Sequence, residues 1–243
     1  MLGSIYVGRG QMNEHPRRGA RRYVLPALIA MAALIAVGAA FAHGKQARST
    51  QEGGSEKHFR ALLLPVPHDA QADKGSTVLG ITKIELKDNQ KIEVGLLATG
   101  LSPMLPHAIH IHGLNEARNE CPRMEARNDG STMPGSKTDG VIDVIEGLPD
   151  YGPIRVSFTT SGDTSAASGL ALDRFPVANA ATAIEYERTI HVPSGVARNP
   201  ERFAVVIHGL DLNNNGVYDG KVGPLGGAPN EATLPVACGE IRD

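Results

Sequence analysis

The chain has 243 residues, no tryptophan, two cysteines and a formal charge of −2 at neutral pH. Five arginines and one acid give residues 1–22 a charge of +4, so residues 23–243 together carry −6. This acidic remainder lacks the basic surface with which proteins neutralise phosphates, and we therefore expect no nucleic-acid partner.

The N-terminal segment has the parts of an export signal. Arginine-rich residues 1–22 precede residues 23–42, a run without charge that ends in Ala40-Phe41-Ala42. A basic region, an apolar region and an A-x-A motif are typical of a cleaved secretory signal peptide. A run of this length can also span a bilayer, so an uncleaved membrane anchor is the alternative. Either interpretation predicts that the rest of the chain lies outside the cytoplasm, secreted or anchored.

Residues 43–57 are polar and show no apolar period, which is typical of a linker. From residue 58 to residue 243, short runs rich in Val and Ile alternate with clusters of turn residues. In residues 76–101, apolar and polar side chains alternate on both sides of Asp88-Asn89, as in a β-hairpin.

Five later runs have the same β character: 140–148, 154–160, 187–193, 202–210 and 232–241. No stretch shows sustained helical periodicity, and residues 165–175 suit one short helical turn at most. Many short strands separated by turn residues predict one all-β domain, a sandwich or a barrel, over residues 58–243.

Three histidines lie in the stretch HAIHIHG at residues 107–113. If residues 108–112 form a strand, His110 and His112 point to the same face, about 7 Å apart along the strand. His107 has the opposite parity and is expected to face away. Two neutral imidazoles on one face can share an ion, and imidazole suits copper or zinc in particular. The spacing predicts a metal-binding pair on this strand.

A third ligand would have to come from another strand, and His208 at the end of the apolar run VVIH is the best candidate. His58, His68 and His191 are weaker candidates. The alternative for every strand histidine is a structural role, with one ring nitrogen bonded to a backbone carbonyl. The residues alone leave both interpretations open.

The two cysteines, Cys121 and Cys238, fall in an oxidising compartment if the chain is exported, where such a pair is normally a disulfide. Closing so long a loop stabilises a protein by about 4–5 kcal/mol in the chain-entropy model. Two unrelated buried thiols are the alternative.

Residues 211–220, DLNNNGVYDG, resemble part of a calcium loop. The oxygen-bearing residues at alternate positions are Asp211, Asn213, Asn215 and Asp219. Glycine at the sixth position suits the sharp turn of such a loop, but the twelfth position is Val222 instead of the usual glutamate. A hairpin loop with a left-handed Asn-Gly turn is the alternative to a calcium site.

The residues also carry a family resemblance. The segment 89–113, NQKIEVGLLATGLSPMLPHAIHIHG, followed by CGEIR at 238–242, resembles a CHRD (chordin-type) domain. The same features are similar to Cu/Zn superoxide dismutase, in which an H-x-H strand supplies two copper ligands. The resemblance covers residues 60–242 as a strand pattern and is specific only in these short motifs.

Three spacings carry the likeness to the dismutase family. Cys121 follows His112 by nine residues, as a cysteine does in that family. The segment 205–208, VVIH, matches a late copper-ligand strand with one residue inserted, and the segment 237–239, ACG, matches the final strand with its disulfide cysteine. The resemblance implies a Greek-key β-sandwich, copper ligands at His110, His112 and His208, and a Cys121–Cys238 disulfide.

The departures from that family reduce the case for catalysis. No histidine lies between Cys121 and Thr189, where the family has its bridging and zinc ligands, so a zinc site is not expected. Pro235 occupies the place of the arginine that guides superoxide. We therefore expect copper binding with little or no dismutase activity. The alternatives are a metal-free structural or interaction module of the CHRD kind and a copper-only dismutase, and the protein partner is not predicted.

Overall fold

The computed structural model describes residues 57–68, 76–87, 90–114, 116–128, 140–220, 222–223 and 226–243. The predicted leader, residues 1–42, and the predicted linker, except Lys57, lie outside the described residues. Within the described ranges, no helix is long and apolar enough to cross a membrane.

The described part of the chain forms a mostly β structure. Its strands are β1 (Lys57–Pro65), β2 (Leu79–Lys87), β3 (Lys91–Thr99), β4 (Ile109–Gly113), β5 (Ile154–Ser157), β6 (Ile184–His191), β7 (Phe203–His208) and β8 (Pro235–Glu240). They form one sheet in the order β5-β4-β7-β8-β1-β2-β3-β6. All neighbouring strands in it are antiparallel. The prediction of a mostly β domain is therefore confirmed.

The hairpin predicted within residues 76–101 is present as β2 and β3. The two strands pair along their full length, from Leu79 opposite Thr99 to Lys87 opposite Lys91. Their buried residues alternate with more exposed ones, so the hairpin has one face on the core. Gln90 next to the turn has a φ of 60°, in the left-handed region that tight turns use.

The strand predicted at residues 140–148 is wrong, because helix α1 (Val144–Tyr151) occupies most of that run. A capping box starts the helix. The Asp143 side chain accepts hydrogen bonds from the backbone N–H of Ile145 and Glu146, and the Glu146 carboxylate accepts one from Asp143 N–H. These bonds satisfy N–H groups at the start of a helix that would otherwise lack partners, and they override the β propensity of Val and Ile.

The other helices are short. They are α2 (Ser194–Arg198), α3 (Asn230–Thr233) and the 3-10 turns Met124–Asn128, Ala166–Ser168, Leu172–Arg174 and Pro200–Arg202. Two 3-10 turns lie between residues 165 and 175, one more than the single short turn that the sequence predicted there at most.

Strands β4 and β7 are covered on both faces. One face packs into the main hydrophobic core, to which these strands contribute Ile109, Ile111, Phe203, Val205 and Ile207. The opposite face belongs to a second buried cluster that contains Val66, Ala126, Ile142, Tyr151, Ala204, Val206 and Cys238. A residue of β4 that points away from the main core is therefore still shielded from water.

The predicted disulfide is present. Cys121 and Cys238 are bonded, with their Cα atoms 5.6 Å apart. Cys238 lies on β8 opposite Val206 of β7, so the bond ties the segment around Cys121 to the second buried cluster.

Candidate metal centre

The histidines of β4 and β7 lie on the face of the sheet that points away from the main core. His110 and His112 alternate with the core residues Ile109 and Ile111. His208 ends β7, where its backbone N–H donates to the carbonyl of Ala108 at 2.8 Å. The relative exposures of His110, His112 and His208 are only 2%, 2% and 3%. The structure thus brings all three predicted metal ligands to one buried place.

The three imidazoles form a compact cluster. The ring centroids are 5.4 Å apart for His110 and His112, 5.1 Å for His110 and His208, and 5.5 Å for His112 and His208. One ring nitrogen of each histidine lies within 4.8 Å of the corresponding nitrogens of the other two. This is the one group of three or more potential metal-ligating side chains found within the described ranges.

A backbone carbonyl holds the other nitrogen of each ring. His110 Nε2 lies 3.1 Å from Gly169 O, His112 Nδ1 lies 2.8 Å from Gly152 O, and His208 Nδ1 lies 2.7 Å from Thr233 O. A carbonyl can only accept, so each of these nitrogens carries the proton of a neutral ring. Such bonds fix the tautomer and orientation of histidines that bind metals.

The remaining nitrogens, which carry lone pairs, are His110 Nδ1, His112 Nε2 and His208 Nε2. His112 Nε2 and His208 Nε2 are 3.4 Å apart. Two imidazoles bound to one ion at about 2.0–2.1 Å each would have their nitrogens roughly 3.4 Å apart. His110 Nδ1 is buried and has no hydrogen-bond partner among the described residues. The donor set therefore fits a metal ion, which would give His110 Nδ1 a partner and bind the lone pairs of the other two rings.

Burial keeps the cluster uncharged. Loss of hydration lowers the pKa of His112 to about 3 and that of His208 to about 4. The same burial, together with the nearby His208 and His112, lowers the pKa of His110 well below its usual value. Neutral imidazole is the form that binds metals, so these rings need not lose a proton near neutral pH to act as ligands.

Apolar and aromatic residues surround the cluster. Tyr151, at the end of α1, meets His112 edge to face with the ring centroids 4.7 Å apart. Phe175 packs against His110 in the same way at 5.3 Å. Gly152 follows α1 with a φ of 80°, a conformation that glycine tolerates, and its carbonyl holds His112. Sequence reasoning missed Tyr151 and Phe175, since neither belongs to a metal-site motif.

The other four histidines of the described ranges lie outside the cluster. His107 is buried on the opposite side of the strand path, with Nδ1 2.9 Å from His208 O and Nε2 3.0 Å from Ser102 O. His68 Nε2 lies 2.8 Å from Pro235 O, and His68 Nδ1 accepts the N–H of Ile142 at 3.0 Å. The side chains of His58 and His191 are exposed. His107 thus faces away from the pair, as its parity predicts.

The predicted calcium loop forms a turn closed by its own hydrogen bonds. Asp211 Oδ2 accepts the N–H of Gly216 at 2.7 Å. Asp219 Oδ2 accepts from Asn213 Nδ2 at 3.2 Å and from Asn215 Nδ2 at 2.8 Å. The four predicted ligands therefore lie in one turn, where amide donors occupy both carboxylates. Calcium binding by this turn stays a prediction.

Glu231 is a further residue that sequence reasoning missed. It lies buried in α3, and its carboxylate accepts the backbone N–H groups of Leu212 at 3.2 Å and Asp219 at 2.9 Å. Thr233 follows Glu231 by two residues, and its carbonyl accepts the hydrogen bond from His208 Nδ1. Helix α3 therefore connects the acidic turn to one of the clustered histidines. No motif spacing marks this glutamate, which follows Asp211 by twenty residues.

Comparisons with known proteins give little beyond this geometry. No protein-family model matches the chain, and no curated protein matches it. The solved structure titled "Crystal Structure Analysis of the clock protein EA4" is similar with a TM-score of 0.39 and 14% sequence identity. That alignment covers 79% of this chain and 98% of the other. At this level of similarity, neither a family nor a function is assigned.

Proposed function

We propose that this chain is an exported β-domain that binds copper through His110, His112 and His208, with little or no dismutase activity. One observation carries the proposal. In each ring, a backbone carbonyl holds one nitrogen, and each ring offers a nitrogen within 4.8 Å of those of the other two. That arrangement is typical of metal-ligating histidines and their supporting hydrogen bonds.

The choice of copper follows from the donor set. Three neutral imidazoles come together, and the described residues add no thiolate or carboxylate to the group. Copper(II) binds such nitrogen sites more tightly than other first-row divalent ions do. Structural zinc sites almost always have four protein ligands, one more than this group offers. Copper ligation is also what the resemblance to the dismutase family implies.

Weak or absent catalysis is proposed on grounds of access and charge. A dismutase needs an open coordination position and a positive charge that attracts superoxide. The three histidines are almost fully buried, and the family's guiding arginine is replaced by Pro235. A copper-only dismutase is the alternative. A superoxide assay on copper-loaded protein decides between them, since activity clearly above that of free copper would contradict our proposal.

The location and the family are parts of the same proposal. The Cys121–Cys238 disulfide supports an oxidising, extracytoplasmic compartment, because disulfides are rare in the cytosol. The family proposed is the CHRD and superoxide dismutase-like group of Greek-key β-sandwiches. The mostly antiparallel sheet is compatible with that group, and the short motifs around His110 and Cys238 carry the resemblance.

The proposal is tested by metal analysis of the full chain expressed with its export signal. We expect stoichiometric copper in the wild type and its loss in His110→Ala, His112→Ala and His208→Ala. The matched control is His191→Ala, because His191 is exposed on β6 and lies outside the cluster. Retention of the disulfide and of a cooperative melting transition shows that each variant is folded. Copper content unchanged in the three variants would contradict the site.

A metal-free structural module is the second candidate, and one observation favours it. The three histidines donate to the carbonyls of Gly152, Gly169 and Thr233, which come from three separate segments around the sheet. Such bonds stabilise the fold without an ion. Under this hypothesis the purified protein contains no copper, and titration with copper leaves its melting temperature unchanged. The copper proposal predicts a higher melting temperature, since a ligand that binds only the native state stabilises it.

A further inference from the structure

A groove of about 550 Å³ lies on the outer face of strands β1, β2 and β8. None of its lining residues belongs to the histidine cluster. Side chains of Leu62, Leu64 and Ile81 line it, and Pro67 and Pro122 contribute to its walls. This volume falls within the range of pockets that hold small organic ligands.

The groove exposes an apolar row where a strand normally presents polar side chains to water. In β1, Phe59, Ala61 and Leu63 are buried, whereas Arg60, Leu62 and Leu64 alternate with them and point outward. Two of these outward residues are Leu62 and Leu64, whose relative exposures are 62% and 50%. Adjacent exposed leucines next to a concavity are typical of a binding surface.

One end of the groove is positively charged. Arg60 lies opposite Arg242, and both arginines line the groove. Like charges directly opposite each other destabilise a sheet. Glu240 pairs with Arg242, but the described residues give the guanidinium of Arg60 no carboxylate. An anion bound at Arg60 would relieve this repulsion.

We infer that the groove binds a single-chain amphipathic carboxylate, such as the anion of a long-chain fatty acid. The acyl chain lies over Leu62 and Leu64, and the carboxylate binds the guanidinium of Arg60. The planar guanidinium suits a carboxylate because it can donate two parallel hydrogen bonds. The concave shape between Pro67 and Pro122 suits one chain better than it suits a flat bilayer. This inference is independent of the proposed copper site.

The test is a titration of the full chain with dodecanoate below its micelle concentration, followed by NMR of ¹³C-labelled leucine methyl groups. We expect saturable shifts of the Leu62 and Leu64 methyls with one site per chain. Arg60→Gln removes a charge-assisted bond and weakens binding about tenfold. Leu62→Ser removes apolar contact and weakens binding by a similar factor. Both residues are exposed, so neither change disturbs the core.

The control variant is Val222→Ser, since Val222 is 68% exposed and lies outside the groove. It is expected to bind dodecanoate as the wild type does. Dodecylammonium, which has the same chain and the opposite charge, is expected not to bind. The inference is overturned if dodecanoate causes no saturable leucine shifts or if dodecylammonium binds equally well. It is also overturned if raising the protein concentration alone causes the same shifts, which would indicate self-association, or if only anionic phospholipid vesicles cause them, which would indicate a membrane surface.

Discussion

The two ring nitrogens of each clustered histidine have different environments. Carbonyls of Gly152, Gly169 and Thr233 accept a hydrogen bond from one nitrogen of each ring, and the buried His110 Nδ1 has no hydrogen-bond partner among the described residues. An unsatisfied buried acceptor has a free-energy cost of roughly 1–3 kcal/mol. Protonation therefore destabilises the cluster, and an ion bound there as proposed would stabilise it.

Mild acid is expected to destabilise the metal-free protein. Histidines of the unfolded chain titrate near 6.5, whereas the native pKa is about 3 for His112 and about 4 for His208. Below pH 6.5 the unfolded state therefore binds more protons, and the free energy of unfolding falls by about 1.4 kcal/mol per pH unit for each such histidine.

Urea unfolding of the metal-free protein between pH 7 and pH 5 measures this loss, because most carboxyl groups remain ionised in that range. His191→Gln, a change at an exposed histidine outside the cluster, is the matched control. A free energy of unfolding that does not change over this range would show that the clustered histidines titrate normally.

Glu231→Gln is expected to weaken copper binding at the proposed site. The Glu231 carboxylate accepts two backbone N–H groups, and an amide in its place would turn its own NH₂ toward one of them. Helix α3 would shift, and with it the Thr233 carbonyl that orients His208. Supporting bonds of this kind alter metal affinity 10–100-fold, so a loss of about tenfold is expected.

Competition with a copper chelator measures that affinity, with Glu201→Gln at an exposed position as the control. The ¹⁵N shifts of the His208 ring in metal-free protein report its tautomer without any copper. Wild-type ring shifts in Glu231→Gln would contradict the positioning role, whether or not the protein binds copper.

Among the elements, β4 and β7 contribute the three clustered histidines, and the carbonyl groups of the surrounding turns orient their rings. The pairing of β4 with β7 places His110 opposite Val206 and His112 opposite Ala204. The register of β7 with β8 shifts between Ile207 and His208. A bulge of this kind re-aims a side chain at the end of a strand. Both the sheet pairing and the bulge therefore determine where His208 lies.

The acidic turn at residues 211–220 is expected to bind calcium only weakly. Asp211 and Asp219 supply carboxylates, but amide donors occupy them and Val222 replaces the bidentate glutamate. A Kd of about 10⁻⁴–10⁻³ M, as in extracellular calcium modules, is expected. Shifts of the Gly216 amide in NMR measure the binding, and Asp219→Asn should weaken it. If calcium at ten times this Kd does not change the spectrum, the turn is a hairpin loop and not a calcium site.

At the scale of the whole molecule, the disulfide connects parts of the chain that are distant in sequence. Cys121 and Cys238 are separated by 117 residues, and the enclosed loop contains β5, β6, β7 and the clustered His208. Constraining so long a loop lowers the entropy of the unfolded chain.

Removing the disulfide in Cys121→Ala/Cys238→Ala is expected to lower the free energy of unfolding by about 2–5 kcal/mol. Urea unfolding under oxidising conditions measures the change. Wild-type protein treated with a reducing agent should show the same shift, which separates the loss of the bond from the loss of the side chains. Equal unfolding midpoints for reduced and oxidised wild type would contradict this role.

The sequence by itself determined the local features of this protein. Alternation of apolar and polar residues predicted the β2–β3 hairpin, and the period of a strand placed His110 and His112 on one face and His107 on the other. The same local reasoning was wrong at residues 140–148, where a helix begins at Val144, because a short apolar run fits a buried strand and a helix equally well. The Asp143–Glu146 capping box was the available signal.

Only the tertiary structure decided how distant parts of the chain combine. The fold places His208 next to His110 and His112, and it places a backbone carbonyl within hydrogen-bond distance of each ring. It also brings the Glu231 carboxylate to the backbone of the turn at residues 211–220. Side-chain periodicity extends over a few residues, whereas these contacts depend on strand order, register and a bulge between segments about a hundred residues apart. Packing of the whole sheet fixes those quantities, so no local pattern encodes them.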